Sequence, residues 1–138
     1  MVIMSVDYGD VRTGVAVCDK NEILASPVTV ITDSNADSLA EKITSLSKDY
    51  RAEMFVVGLP KNMDGSEGFR AEACREFAAM LKDKSGLETE LYDERLTTVS
   101  AHNALNATNT RGKKRKAVVD AVSAVMILED YMARRKNK

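Results

Sequence analysis

Three acidic positions fall where acids are costly. Asp7 ends the apolar run Val2 to Val6, Glu94 follows Asp93 at the end of "ETELYD", and Asp120 stands alone in "AVVDAVSAVM". A carboxylate in apolar surroundings needs a cation or a hydrogen-bond partner. Carboxylates brought together raise one another's pKa unless a cation sits among them. An all-oxygen ligand set suits Mg²⁺ or Mn²⁺ rather than zinc. Metals held this way activate a water and stabilise the departing 3′ oxygen in phosphodiester hydrolysis. Asp7, Glu94 and Asp120 are therefore the candidate metal ligands and catalytic residues. Each also has a plainer reading. Asp7 can start a turn through its own backbone, Glu94 can pair with Arg95 or cap a helix, and Asp120 can bond a buried backbone group or Ser123.

Basic residues lie where phosphates would have to be held. "TRGKKRK" carries Arg111, Lys113, Lys114, Arg115 and Lys116 just ahead of Asp120. It reads as a mobile basic loop beside the acids, gathering phosphates; the alternative is a solvated charge run. Arg12, Lys61 and Arg95 are further candidates for phosphate contact, although Arg12 can instead pair with Asp10. "GLPKNMDGSEG" leads into a helix N-terminus, where backbone N–H groups can meet an anion, or it is an ordinary loop. Thr97 and Thr98 read as helix caps. His102, the one histidine, has no partner at metal spacing and reads as a surface or packing residue. With four Tyr, three Phe and no Trp, recognition should rest on backbone shape and charge more than on bases.

The elements that must position these groups follow from hydrophobic period. Val2–Val6, Thr13–Asp19 and Ile23–Ile31 read as three strands with short connections, hence an antiparallel meander, with Pro27 marking an edge or bulge. Residues 37–50 read as a helix capped by Asp37 or Ser38. "MFVVGL" (54–59) is a buried strand. Glu67 to about Lys84 is a helix with Phe69, Ala73, Phe77, Met80 and Leu81 inward, Ser66 as its cap and Gly86 as its stop. "ETELYD" is a fifth strand, Thr98–Ala107 a helix, and Lys116–Arg134 a last helix with Val119, Val122, Ser123, Met126, Ile127 and Met132 inward. The order predicts an α/β fold: a five-stranded mixed sheet, three antiparallel strands then αβαβ, with helices on both faces. The first, fourth and fifth strands share a direction. Sites in such sheets lie beyond the carboxyl ends of the parallel strands, where Asp7 and Glu94 fall.

The totals agree. The chain has 138 residues, 44% of them hydrophobic, and a net charge of −1. That fits one domain, residues 1–138, with a true core and only local basic patches. No apolar run is long enough to span a bilayer, and the start lacks the basic region of a signal peptide. Cys18 and Cys74 form no CxxC and read as reduced core cysteines of a cytoplasmic protein. The apolar stripes are all needed for the core, which favours a monomer or a weak dimer.

Four stretches carry a family likeness. "DYGDVRTGVAVCD" (7–19), "VVGLPKNMDGSEG" (56–68), "YDERLTTVSAHNAL" (92–105) and "KKRKAVVDAVSAVMILEDYM" (113–132) resemble the YqgF family, described both as pre-16S rRNA nucleases and as Holliday junction resolvase-like proteins. The likeness covers nearly the whole chain in the same order. It implies an RNase H-like fold and a divalent-metal nuclease whose acids are Asp7, Glu94 and Asp120. The implied role is processing of the 5′ end of pre-16S rRNA on ribosomal precursor particles, with resolution of branched DNA junctions as the alternative. Tyr8, Ser123 and Val125 depart from the usual family residues, and none of them is a proposed ligand.

Two rival readings come from other classes. "DYGDVRTG" also resembles the first phosphate loop of actin-like ATPases, but this chain shows no second phosphate loop and no adenosine motif. A non-catalytic RNA-binding assembly factor would need the basic segment and not the three acids.

Overall fold

The computed structural model describes residues 1–60, 68–93 and 112–136, with backbone alone for 112–121. Five strands form one sheet: β1 (Ile3–Asp7), β2 (Arg12–Cys18), β3 (Ala25–Thr32), β4 (Met54–Leu59) and β5 (Glu88–Asp93). Three helices accompany them: α1 (Ala36–Asp49), α2 (Phe69–Ser85) and α3 (Gly112–Lys136). The strand order is β3-β2-β1-β4-β5. β1, β2 and β3 pair antiparallel, while β4 lies parallel to both β1 and β5. This is the five-stranded mixed sheet expected from the order of elements, and it is the RNase H-like arrangement that the family likeness implies.

The central strands are buried because both faces are covered. β4, "MFVVGL", is buried along its whole length, which is why its apolar run does not alternate. One face packs Met4, Val6, Phe55 and Val57 against Leu39, Ile43, Phe77 and Leu81 of α1 and α2. The other packs Ile3, Ala16 and Val56 against Ala124, Ile127, Leu128 and Met132 of α3. β3 lies at a sheet edge, and its register against β2 shifts between Val15 and Ala16, opposite Thr29 and Pro27. The bulge lets the edge strand hold a proline that cannot donate to the ladder.

Helix ends differ from the sequence expectations in three places. α1 is capped by Asn35, whose side chain accepts from the Ser38 N–H at 2.9 Å, and not by Asp37 or Ser38. Asp33 selects Asn35 by accepting from its N–H at 2.9 Å. α2 begins after Gly68, which supplies no side-chain cap, and Phe69 on its first turn is exposed, not inward. α3 begins at Gly112, so Lys113, Lys114, Arg115 and Lys116 lie in its opening turns and not in a mobile loop. Lysine and arginine are good helix formers, and this outweighs their unfavourable place at the dipole's positive end. Gly86 does end α2, in the left-handed conformation at φ 73°.

The far end of α3 is anchored. Arg135 Nε donates to Glu22 Oε1 at 2.7 Å, and the Tyr131 hydroxyl bonds Glu90. Burial first, then Glu90, pushes the Tyr131 phenol up to about 12, so it stays a donor. Glu22 sits in the β2–β3 turn, at the end of the sheet where β1 begins. α3 therefore runs antiparallel to β1, its first turns toward the carboxyl end of that strand.

Candidate active site

Asp7 is the last residue of β1 and is half-buried. Side chains alternate along a strand. Val6 packs under α1 and α2, whereas Ser5 faces α3 and its hydroxyl donates to the Ala124 carbonyl at 2.7 Å. Asp7 shares the Ser5 side. Asp120 stands four residues, one helical turn, ahead of Ala124 on α3. The Ser5–Ala124 bond thus brings the Asp120 turn of α3 toward the Asp7 end of β1.

The neighbouring strands end alongside. Val6 pairs with Val57, Gly58 with Tyr92 and Leu59 with Asp93. Asp7, Gly58 and Tyr92 are therefore level across three strands, about 5 Å apart from one to the next. Glu94 follows Asp93 directly but lies outside the described residues, as do Lys61, Ser66, Arg95, Thr97, Thr98, His102 and the expected helix at 98–107. Among the described residues no three His, Cys, Asp or Glu side chains gather as a metal site.

The turn after Asp7 is tightly built. The Gly9 N–H donates to Thr13 Oγ1 at 3.2 Å. A Cβ on Gly9 would stand 2.0 Å from the Arg12 carbonyl oxygen, so only glycine fits this close approach. Arg12 opens β2, half-buried and paired with Thr32. Asp10 does not take Arg12 as its partner; it pairs with Arg70 of α2. Arg70 also donates from Nη2 to the Tyr8 carbonyl at 2.7 Å and lies over the Tyr8 ring, 5.6 Å from its centroid. The other face of that ring stacks on Phe77 at 4.3 Å. Burial raises the Tyr8 phenol, with Arg70 opposing. Sequence reading missed Arg70, because a contact across 60 residues leaves no local signal.

Cys18 and Cys74 are both buried and form no disulfide. Cys18 Sγ accepts from the Ile3 N–H at 3.2 Å, and burial raises its thiol, as expected of a packing cysteine. No helix among the described residues is long and apolar enough to cross a membrane.

A family model described as RuvX, Holliday junction resolvase, matches residues 1–134. The chain belongs to this family. RuvX relatives extend the match. A protein of Rhodopirellula baltica, provisionally named pre-16S rRNA nuclease, is 45% identical over 130 residues, covering 94% of this chain and 75% of that protein. A Halothermothrix orenii protein with the same provisional name is 42% identical over 132 residues, covering 96% and 94%. The fold is that of Thermus thermophilus RuvC in complex with a Holliday junction substrate, at TM-score 0.65 and 13% identity, over 100% of this chain and 97% of that one. Fowlpox virus resolvase, solved with Holliday junction DNA, aligns at TM-score 0.62 and 11% identity, over 98% and 99%. As a RuvX member the chain is a nuclease acting on the phosphodiester bonds of nucleic acid, in a family generally dependent on divalent metal.

Proposed function

We propose that this RuvX nuclease trims the 5′ end of pre-16S rRNA, using Asp7, Glu94 and Asp120 as its metal-binding and catalytic acids. The observation that carries the site is the Ser5–Ala124 bond, which turns the Asp120 end of α3 toward Asp7. The substrate is supported by the names of relatives at 42–45% identity. The protein acts in the cytoplasm, on ribosomal precursor particles, as one domain over residues 1–138.

The donor set fits a hard divalent cation. Three carboxylates offer only oxygen, which Mg²⁺ or Mn²⁺ prefers and zinc does not. Bound there, the cation supplies an activated water and charge stabilisation at the departing 3′ oxygen. The chain's own residues do the rest. β1 holds Asp7 at its carboxyl end in the middle of the sheet, and Gly9 lets the following turn close against the Arg12 carbonyl. Lys113, Lys114 and Arg115 open α3 at the end nearest Asp7, where they gather phosphates. Arg12, Lys61 and Arg95 add further phosphate contacts.

The family description favours a second reading, resolution of branched DNA. One experiment separates them: wild-type protein with Mg²⁺ or Mn²⁺ is given a 5′-leader rRNA precursor and a four-way DNA junction. Cleavage of the precursor at the mature 5′ end is the expected result. Cleavage of the junction alone would replace the RNA reading and require a dimer, since two strands must be cut.

A further inference from the structure

Arg70 is held on one side and open on the other. Its Nη2 donates to the Tyr8 carbonyl at 2.7 Å, and its guanidinium carbon lies over the Tyr8 ring. Both contacts are to Tyr8, whose ring stacks on buried Phe77. Its Nη1 donates to Asp10. The Asp10 side chain is 79% exposed and that of Arg70 36%. Tyr8, the residue that aims Arg70, directly follows Asp7.

A guanidinium presents a fork suited to carboxylate and phosphate alike. An ion pair this exposed is weakly held, because water and salt compete for both partners. The two contacts with Tyr8 hold the guanidinium whether or not Asp10 stays. We propose that Arg70 is a phosphate-binding residue of the nucleic-acid cradle, and that Asp10 is its exchangeable internal counter-ion, displaced by a backbone phosphate when substrate binds. This rests on nucleic acid crossing the Asp7 edge of the sheet. In the free protein Asp10 caps the fork. On binding, the phosphate takes the fork and Asp10 turns to solvent. The docked phosphate would lie on the α2 side of Asp7, opposite α3, so the strand is gripped from both sides of the acid.

The test is binding of labelled single-stranded RNA and of a four-way DNA junction by fluorescence anisotropy. It is run in EDTA, so that nothing is cut, over a series of salt concentrations. The proteins are wild type, Asp10→Asn, Arg70→Gln and the double variant. Exchange predicts that Asp10→Asn tightens binding by about 2- to 5-fold, as an exposed charge pair allows. Arg70→Gln weakens binding and lowers the log–log salt slope by about 0.7 on RNA, one phosphate contact. The gain from Asp10→Asn must vanish in the Arg70→Gln background. An equal gain with and without Arg70 would reduce Asp10 to simple repulsion and overturn the proposal. So would an unchanged salt slope in Arg70→Gln, which would make the pair a structural clamp. Should Arg70→Gln fail to fold, Arg70→Lys takes its place: it keeps the charge without the fork, and the Asp10→Asn gain must shrink. Wild-type protein that bound neither probe would overturn the nucleic-acid reading of this edge along with the proposal; binding without coupling overturns the proposal alone.

Discussion

The Ser5 hydroxyl donates to the Ala124 carbonyl at 2.7 Å, across 119 residues and in full burial. This bond ties the first strand to the last helix at the crossing that sets where Asp120 stands relative to Asp7. Ser5→Ala removes it. The expected loss of stability is about 1 kcal/mol, the net worth of one such bond. Activity should fall further than that loss explains, because the crossing of α3 on β1 loses a polar tie near Asp7 and a displacement of about 1 Å at a reacting centre costs about 100-fold. Urea unfolding and nuclease rates on the same preparation check the two effects separately.

Gly9→Ala places a methyl 2.0 Å from the Arg12 carbonyl oxygen. Backbone must move, since no flexible side chain is there to yield. A destabilisation of about 1–3 kcal/mol is expected from this overpacking. The turn carries Asp7 at its base, so cleavage should fall together with stability. Gly68→Ala is the control, because a Cβ there meets nothing within 4 Å.

The acid limb of stability should contain a contribution from Asp33. The Asn35 N–H first, then Lys42 and Ser38, hold its carboxyl at about 2, below the ordinary 3.8. A lowered folded-state pKa gives stability that is whole above about pH 4 and is lost as pH falls through about 2. Asp33→Asn should therefore flatten the fall in thermal midpoint between pH 4 and 2, while leaving the shape of the profile above pH 5 unchanged. Thermal melts of both proteins across that range decide it.

The strands were legible because each is short, apolar and bounded by turn residues. β4 and β5 fall where the period places them, and the shared direction of β1, β4 and β5 follows from connection lengths. Helix ends were not legible in the same way. "DSNADS" offers six residues, most of them able to cap, and only the Asp33–Asn35 bond singles out Asn35. α3 shows a similar limit at its core face. Ala124, Leu128 and Tyr131 are buried, while Val122, Ser123 and Met126 are half-buried. A helix apolar nearly all round does not reveal its inward stripe until the sheet's position is known. Among the site residues, Asp7 was readable as an acid closing a buried run. Arg70 was not, since its partners Tyr8 and Asp10 become neighbours only when α2 docks on the sheet edge.

The central claim is that Asp7 and Asp120 act together as carboxylates in a metal-dependent nuclease. The most direct measurement is Mg²⁺- or Mn²⁺-dependent cleavage of the rRNA precursor by wild type, Asp7→Asn and Asp120→Asn, with thermal midpoints recorded for each. These isosteric changes remove a charge and little volume. The account predicts that both variants lose cleavage by at least about 100-fold, with midpoints at or above that of wild type, since relieving carboxylate repulsion does not destabilise the fold. Wild-type rates in either variant, or a loss of activity that merely tracks a loss of folding, would contradict it and leave the acids as structural groups.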